Sequence, residues 1–187
     1  MRRNFGSLPL CFCFVLAVCF LAAGTASAQR DWMPVSPEEL SMKTSTVEPG
    51  ADAEILNWDV RIDDSSPERM VKQNYVRVKI LTEKGQEKFS KVDIPYRKGI
   101  KIRNIKARVI KPDGSITELE KSDVFDQEIV RADKIKVRAK SFAIPGIEPG
   151  VVVEYRFQEE VSGASANNMR MEFQQDVPIR KKSYYFR

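Results

Sequence analysis

The sequence predicts an all-β fold, an antiparallel β-sandwich, and three observations carry that prediction. Apolar residues recur at every second position in one short segment after another, turn residues separate those segments, and no stretch repeats its apolar residues with the 3.6 period of a long helix. The prediction covers residues 29–187 as one domain that opens on a short helical turn.

The first 28 residues read as an export signal. Arg2 and Arg3 precede an apolar run from Leu8 to Ala23, and Ala26-Ser27-Ala28 supplies the small residues of a cleavage site. Cleavage is therefore expected between Ala28 and Gln29, with the protein delivered to the periplasm or the exterior. The run is 16 residues long and contains Pro9, short of the ~20 apolar residues a spanning helix requires, so no stable membrane span is expected after cleavage. Val18 stands before Cys19 where a lipoprotein signal wants a small residue.

Past the leader, Ser36-Pro37-Glu38-Glu39 is a capping box with proline at the first helical position, which predicts a turn or two of helix through Met42. Strand periodicity follows. Leu56, Trp58, Val60 and Ile62 alternate with polar residues, then Val76, Val78 and Ile80, then Val92, Ile94 and Tyr96, each set reading as the buried face of a strand. Gly85 reads as a turn between two of them. The apolar phase slips from Ile100 and Ile102 to Ile105, Ala107 and Val109, which predicts a one-residue bulge near Asn104. Pro112-Asp113-Gly114 supplies a tight turn into a short hairpin arm holding Ile116 and Leu119.

A polar connection leads to Ile135, Val137 and Ala139. Pro145-Gly146 and Pro149-Gly150 frame a reversal, and Val151, Val153, Tyr155 and Phe157 form the clearest alternation in the chain. Ser162–Asn168 reads as a mobile loop, Met169, Met171 and Phe173 as another strand, and Ser183-Tyr184-Tyr185-Phe186-Arg187 as a last one. An aromatic strand is an unusual terminus, and it suggests the front part of a longer chain, truncated at its C-terminus.

Composition excludes most catalytic chemistry. The three cysteines, Cys11, Cys13 and Cys19, lie in the leader and the sequence has no histidine. Residues 29–187 therefore offer no thiolate, no imidazole base and neither of the residue types that nearly all zinc sites need, and they form no disulfides. A chain of this size can hold together by its core alone. With Arg2 and Arg3 gone, 29 Lys plus Arg face 26 Asp plus Glu, a balance that demands no polyanion partner.

Carboxylates are the remaining acid–base groups. Asp63, Asp64, Asp123, Asp126, Glu128, Glu159 and Glu160 are available for the two-acid chemistry of glycoside hydrolysis, but nothing in the sequence selects a pair. The acids from Asp123 to Glu128 lack the order of a dedicated calcium loop. A cationic surface is the sharper idea. Lys134, Lys136, Arg138 and Lys140 alternate opposite Ile135, Val137 and Ala139, and Lys101, Arg103, Lys106 and Arg108 alternate on another segment. If those two strands were neighbours, one face would attract an anionic partner; alone, each set is also what the solvated face of a half-buried strand looks like. Few aromatic residues interleave with the charges, and export removes the chain from nucleic acid. Trp58 is in phase with core positions, whereas Trp32 could close one end of the sandwich or stay exposed.

Three segments also carry a resemblance. Tyr75-Val76-Arg77-Val78-Lys79-Ile80-Leu81-Thr82-Glu83-Lys84-Gly85, Ala107-Arg108-Val109-Ile110-Lys111-Pro112-Asp113-Gly114, and Ile144-Pro145-Gly146-Ile147-Glu148-Pro149-Gly150-Val151-Val152-Val153-Glu154-Tyr155 occur in order. Together they resemble domain of unknown function 3857 over roughly Trp32 to the end. The resemblance implies a β-rich domain of exported bacterial proteins, typically placed ahead of a transglutaminase-like core. It implies no catalytic residues, and the Cys nucleophile and His/Asp partners of such a core are missing from this sequence.

The expectation is thus a noncatalytic interaction or scaffolding module that needs no cofactor and no metal. Its expected partner is a transglutaminase-like domain or an envelope component. The alternatives are a carboxylate-dependent hydrolase and an anionic-polymer-binding domain of the cell envelope.

Overall fold

The computed structural model describes residues 32–132, 135–167 and 169–187. The expected leader and Lys134 lie outside them. Ser36–Arg187 forms one compact unit, which holds every helix and strand described below.

The elements run α1 (Pro37–Ser41), β1 (Ala53–Ser66), β2 (Arg69–Ile80), α2 (Glu83–Phe89), β3 (Lys91–Tyr96), β4 (Ile100–Ile110), β5 (Ile116–Glu118), β6 (Phe125–Ala132), β7 (Ile135–Ala143), β8 (Val152–Ser162) and β9 (Lys182–Phe186). They build the predicted two-sheet all-β fold. The larger sheet has the order β5-β4-β8-β2-β1-β9 and the smaller one β3-β7-β6. Pairing is antiparallel except at one edge, where β9 lies parallel to β1.

The core forms where the alternating residues predict it. Val76, Val78 and Ile80 of β2, Ala107 and Val109 of β4, Val151 just before β8 and Val153 within it pack with Ile94 of β3, with Phe142 of β7, and with Ile144 just beyond it. A second, smaller cluster joins Val60, Ile62 and Met70 at the far end of β1 and β2. Trp58 is half-buried and touches both clusters, with the Lys182 ammonium 3.5 Å from its ring centroid, a cation–π contact. The bulge also falls where the phase slips: the β4/β8 register shifts between Arg103 and Lys106, and Asn104 takes φ 53. Asparagine tolerates that left-handed backbone better than other side chains do.

Four readings need correction. Gly85 does not turn between strands but lies inside α2, because Thr82 accepts the Gly85 N–H on its hydroxyl and caps a helix there. The polar connection after residue 120 contains β6, whose charged side chains hide a strand that the backbone ladder with β7 holds. On β7 Ala139 is buried as expected, but the opposite face is not a purely solvated one. Phe142 enters the core, and Lys140 and Arg138, two and four residues before it, share its face, while Ala139 lies with buried Ser141 on the other. The segment carrying Met171 and Phe173 is exposed and belongs to no strand.

The loop read as mobile makes defined contacts up to Ala166, and Asn168 lies outside the described residues. The Asp64 carboxylate accepts hydrogen bonds from the Ser165 hydroxyl (3.3 Å) and the Ala166 N–H (2.9 Å), and Ala164, Ala166 and Met169 pack on the second cluster.

Candidate functional site

The larger sheet turns one face to the core and the other outward, and the outward face is mostly polar, with Val71, Val152 and Ile110 among its charged and amide residues. Its lower half is buried. Glu154 of β8 has no exposed surface and sits in register between Arg77 of β2 and Arg108 of β4. Arg77 donates from Nε (2.8 Å) and Nη2 (2.6 Å) to Glu154 Oε1, Arg108 Nε donates to Oε2 (2.5 Å), and the Tyr75 hydroxyl donates to Oε1. Burial opposes the charge on Arg77, but Glu154, Tyr75 and Glu39 outweigh it and leave its pKa raised. Burial first, then the charge of Glu154, pushes the Tyr75 hydroxyl far above its ordinary range.

The segment that precedes β1 is anchored to this face. Glu39 Oε2 accepts from Arg77 Nη1 at 2.9 Å and also from the Ser36 N–H, so one carboxylate closes the capping box and fastens α1 to the sheet. The Lys79 ammonium, fully buried, donates to the carbonyls of Leu40 (2.7 Å) and Gly150 (2.5 Å). Burial holds its pKa below the usual lysine value. Glu54 accepts from Ser45 Oγ, the Thr46 N–H and Arg180 Nε, each at 2.7 Å. Burial would push that carboxyl up, yet these donors hold it below the usual carboxylate range.

The upper half of the outward face is open. One cross-strand row reads Arg61 (β1), Gln73 (β2), Gln158 (β8) and Arg103 (β4); the row beside it reads Asp59, Tyr75, Arg156 and Lys106. Arg61, Gln73, Arg103 and Lys106 are exposed. Arg61 lies 4.6 Å from the centroid of the Tyr185 ring, and Arg103 Nε donates to Glu160 Oε2 at 2.9 Å. The bulge at Asn104 matters here. Strict alternation would set Lys106 on the core side, and the extra residue returns it to the face of Lys101 and Arg103.

The two cationic sets of the sequence are not neighbours: β4 belongs to the larger sheet and β7 to the smaller. Lys136 is described by its backbone alone and lies opposite Arg131. Arg138 and Lys140 both face Asp126, at 3.9 and 2.6 Å, and Asp126 also accepts from the Tyr96 hydroxyl at 2.5 Å. On β4, Arg108 is spent on Glu154, which leaves Lys101, Arg103 and Lys106 on the open part. The acids are likewise engaged: Glu159 pairs with Lys72 at 3.0 Å and accepts from Asn74, Glu160 pairs with Arg103, and Asp63 accepts from the Ser65 hydroxyl at 2.6 Å. Among the described residues no group of three or more acids could hold a metal ion, and no helix is long and apolar enough to cross a membrane.

Sequence reasoning missed the buried ionic layer because Arg77, Lys79, Arg108 and Glu154 fall at the polar positions of an alternating pattern, where solvent is the ordinary neighbour. The capping-box Glu39 was the available signal, since an arm that begins with its own helix must rest on something.

Fold and faces together define an all-β module with one buried and one open polar surface. The family model for a domain of unknown function with a solved structure (DUF3857) matches residues 66–187, and the chain belongs to that family. No curated protein matches it. Among solved structures, a Parabacteroides distasonis protein named a "putative protease" aligns with TM-score 0.52 and 12% identity over 59% of this chain and 23% of its own. An M1 zinc metallopeptidase from Deinococcus radiodurans gives 0.33 at 10% identity over 68% and 24%. The CBM3a-L domain of a Clostridium thermocellum cellulosomal scaffoldin gives 0.37 at 14% over 72% and 84%. The first shows a shared fold alone, and the chain spans about a quarter of that protein; the other two are too distant to carry an argument.

Proposed function

We propose that this chain is a noncatalytic module of exported bacterial proteins that serves interaction or scaffolding beside a transglutaminase-like domain. One observation carries the reading: its most deeply placed charged groups, Glu154, Arg77, Arg108, Lys79 and Glu54, hold the sheet and the arm together. A general acid needs a raised pKa. Among the described residues, the carboxyls whose pKa is displaced, Glu38, Glu54, Asp63, Asp93, Asp113 and Asp126, are displaced downward. The absence of Cys and His from residues 29–187 supports the same reading.

The family membership and the leader pattern support export, with processing between Ala28 and Gln29. The test is the intact mass of the protein recovered from the envelope of its host with an antibody against this domain. A species that begins at Gln29 and is much heavier than residues 29–187 is the expected result. A species that retains Met1–Ala28 and stays in the cytoplasm would overturn the export reading. Turnover of an envelope glycan by the purified domain would overturn the noncatalytic one.

A further inference from the structure

We propose that the open half of the outward face binds a linear acidic polysaccharide, laid across four strands along the row Arg61–Gln73–Gln158–Arg103. This names a ligand class for the module and rests on the noncatalytic reading above. The row has a composition that a merely solvated sheet face does not require: two amides in the middle, a guanidinium at each end, and no acid within it. Strands stand about 4.8 Å apart, so the two guanidinium-bearing positions are roughly 14 Å from each other, a span of several sugar units.

The flanking rows add cations at steps of roughly 7 Å along β4. Lys101 lies on one side of the row, and Lys106 with Arg156 on the other. The bulge is the second observation. Asn104, the one described non-glycine residue with positive φ, holds a backbone conformation that costs energy, and its effect is to keep Lys101, Arg103 and Lys106 on one face. Asn104 Nδ2 donates to Gln158 Oε1 at 3.0 Å, which fixes one of the two central amides.

Guanidinium groups bind carboxylates through paired N–H donors, and glutamine amides suit sugar hydroxyls, which both donate and accept. A uronic acid polymer presents both groups in repetition. The acids near the row leave room for it. Glu160 pairs with Arg103 through Nε, one of five donors on that side chain, and accepts from Gln158 Nε2 at 3.4 Å, one of that amide's two N–H donors. Asp63 is turned into a local bond with Ser65, and Asp59 is buried.

The experiment measures binding of polygalacturonate to the domain 29–187 by calorimetry, with polyglutamate as the competing acidic polymer. The expected result is binding that weakens steeply as salt rises from about 50 to about 500 mM. Arg61→Gln/Arg103→Gln should lose about tenfold in affinity, and Arg138→Gln/Lys140→Gln on the smaller sheet, the same change in charge, less than about twofold. Gln73→Glu is the second variant. It touches an exposed side chain, and its thermal melt should match that of the unaltered domain while affinity falls.

Equal losses from the Arg61/Arg103 and Arg138/Lys140 variants, or salt-insensitive binding, would overturn the proposal. Binding of polyglutamate in preference to the polyuronate would assign the face to an acidic peptide and overturn it too. The size of the recovered polymer separates the two readings. Shortened chains would support binding and refute a noncatalytic role, whereas intact, unbound polymer would refute only the binding site.

Discussion

Glu39 and Arg77, 38 residues apart in the chain, are joined through a carboxylate oxygen that also receives the Ser36 N–H, so the cap of the first helix and the clamp on the sheet are one group. Neither could be removed without loosening the other.

Glu39→Gln keeps a cap acceptor but removes the charge opposite Arg77. It should cost about 1–2 kcal/mol and raise amide hydrogen exchange across Ser36–Asp52 before the rest of the sheet opens. Exchange rates in that segment equal to those of the unaltered protein would show that the pair holds nothing.

Glu154→Gln would leave two buried guanidinium groups with half their compensation. The expected loss is about 3–5 kcal/mol in urea unfolding. Tyr75→Phe, which removes a single donor to the same carboxylate, should cost about 1 kcal/mol. A smaller loss from Glu154→Gln than from Tyr75→Phe would refute the assignment of Glu154 as the centre of the layer.

Gly85→Ala should destabilise by about 2–3 kcal/mol even though alanine favours helices. A β-carbon there would lie 2.1 Å from the Asp52 carbonyl oxygen. That oxygen already accepts the Leu81 and Thr82 N–H groups at 3.0 and 3.1 Å and has nowhere to retreat. An unchanged denaturation midpoint would show that α2 shifts freely.

Alkaline titration should expose the packing of Tyr155. Burial raises its pKa to about 12 from the ordinary 10.0. Between those values the unfolded chain releases the proton and the folded one keeps it, so this group's contribution is complete below pH 10 and is lost as pH rises toward 12. Denaturant midpoints falling over that window, and falling less in Tyr155→Phe, are the expected result. Identical alkaline slopes in the two proteins would refute it.

The strands along which one face is apolar were legible from alternation alone: β2, β3 and β8 lie where Val76, Ile94 and Val153 placed them, and the Asn104 bulge was visible as a change of phase. What escaped was decided by partners. The apolar residues of β6, Phe125, Ile129, Val130 and Ala132, do not alternate, and the strand exists because β7 offers it a ladder. The second face of β7 turns on Phe142, one large ring on the side of Arg138 and Lys140. The ionic layer escaped for the converse reason, since charge at alternate positions looks the same whether water or an arm covers it. The Arg61–Gln73–Gln158–Arg103 row needs four strands in register, and no single segment of sequence contains it.

The parallel pairing of β9 with β1 has a mechanical consequence. β1 departs from the arm at Ala53, while β9 ends at Phe186, and the two run side by side in the same direction from Trp58↔Lys182 to Ile62↔Phe186. Tension applied between Ser36 and Arg187 would draw the neighbouring strands past each other lengthwise. Their backbone hydrogen bonds, from Trp58 N–H to the Lys181 carbonyl through Arg187 N–H to the Ile62 carbonyl, would then bear the load together. A hairpin pulled from its open end unzips one bond at a time; this edge would have to shear.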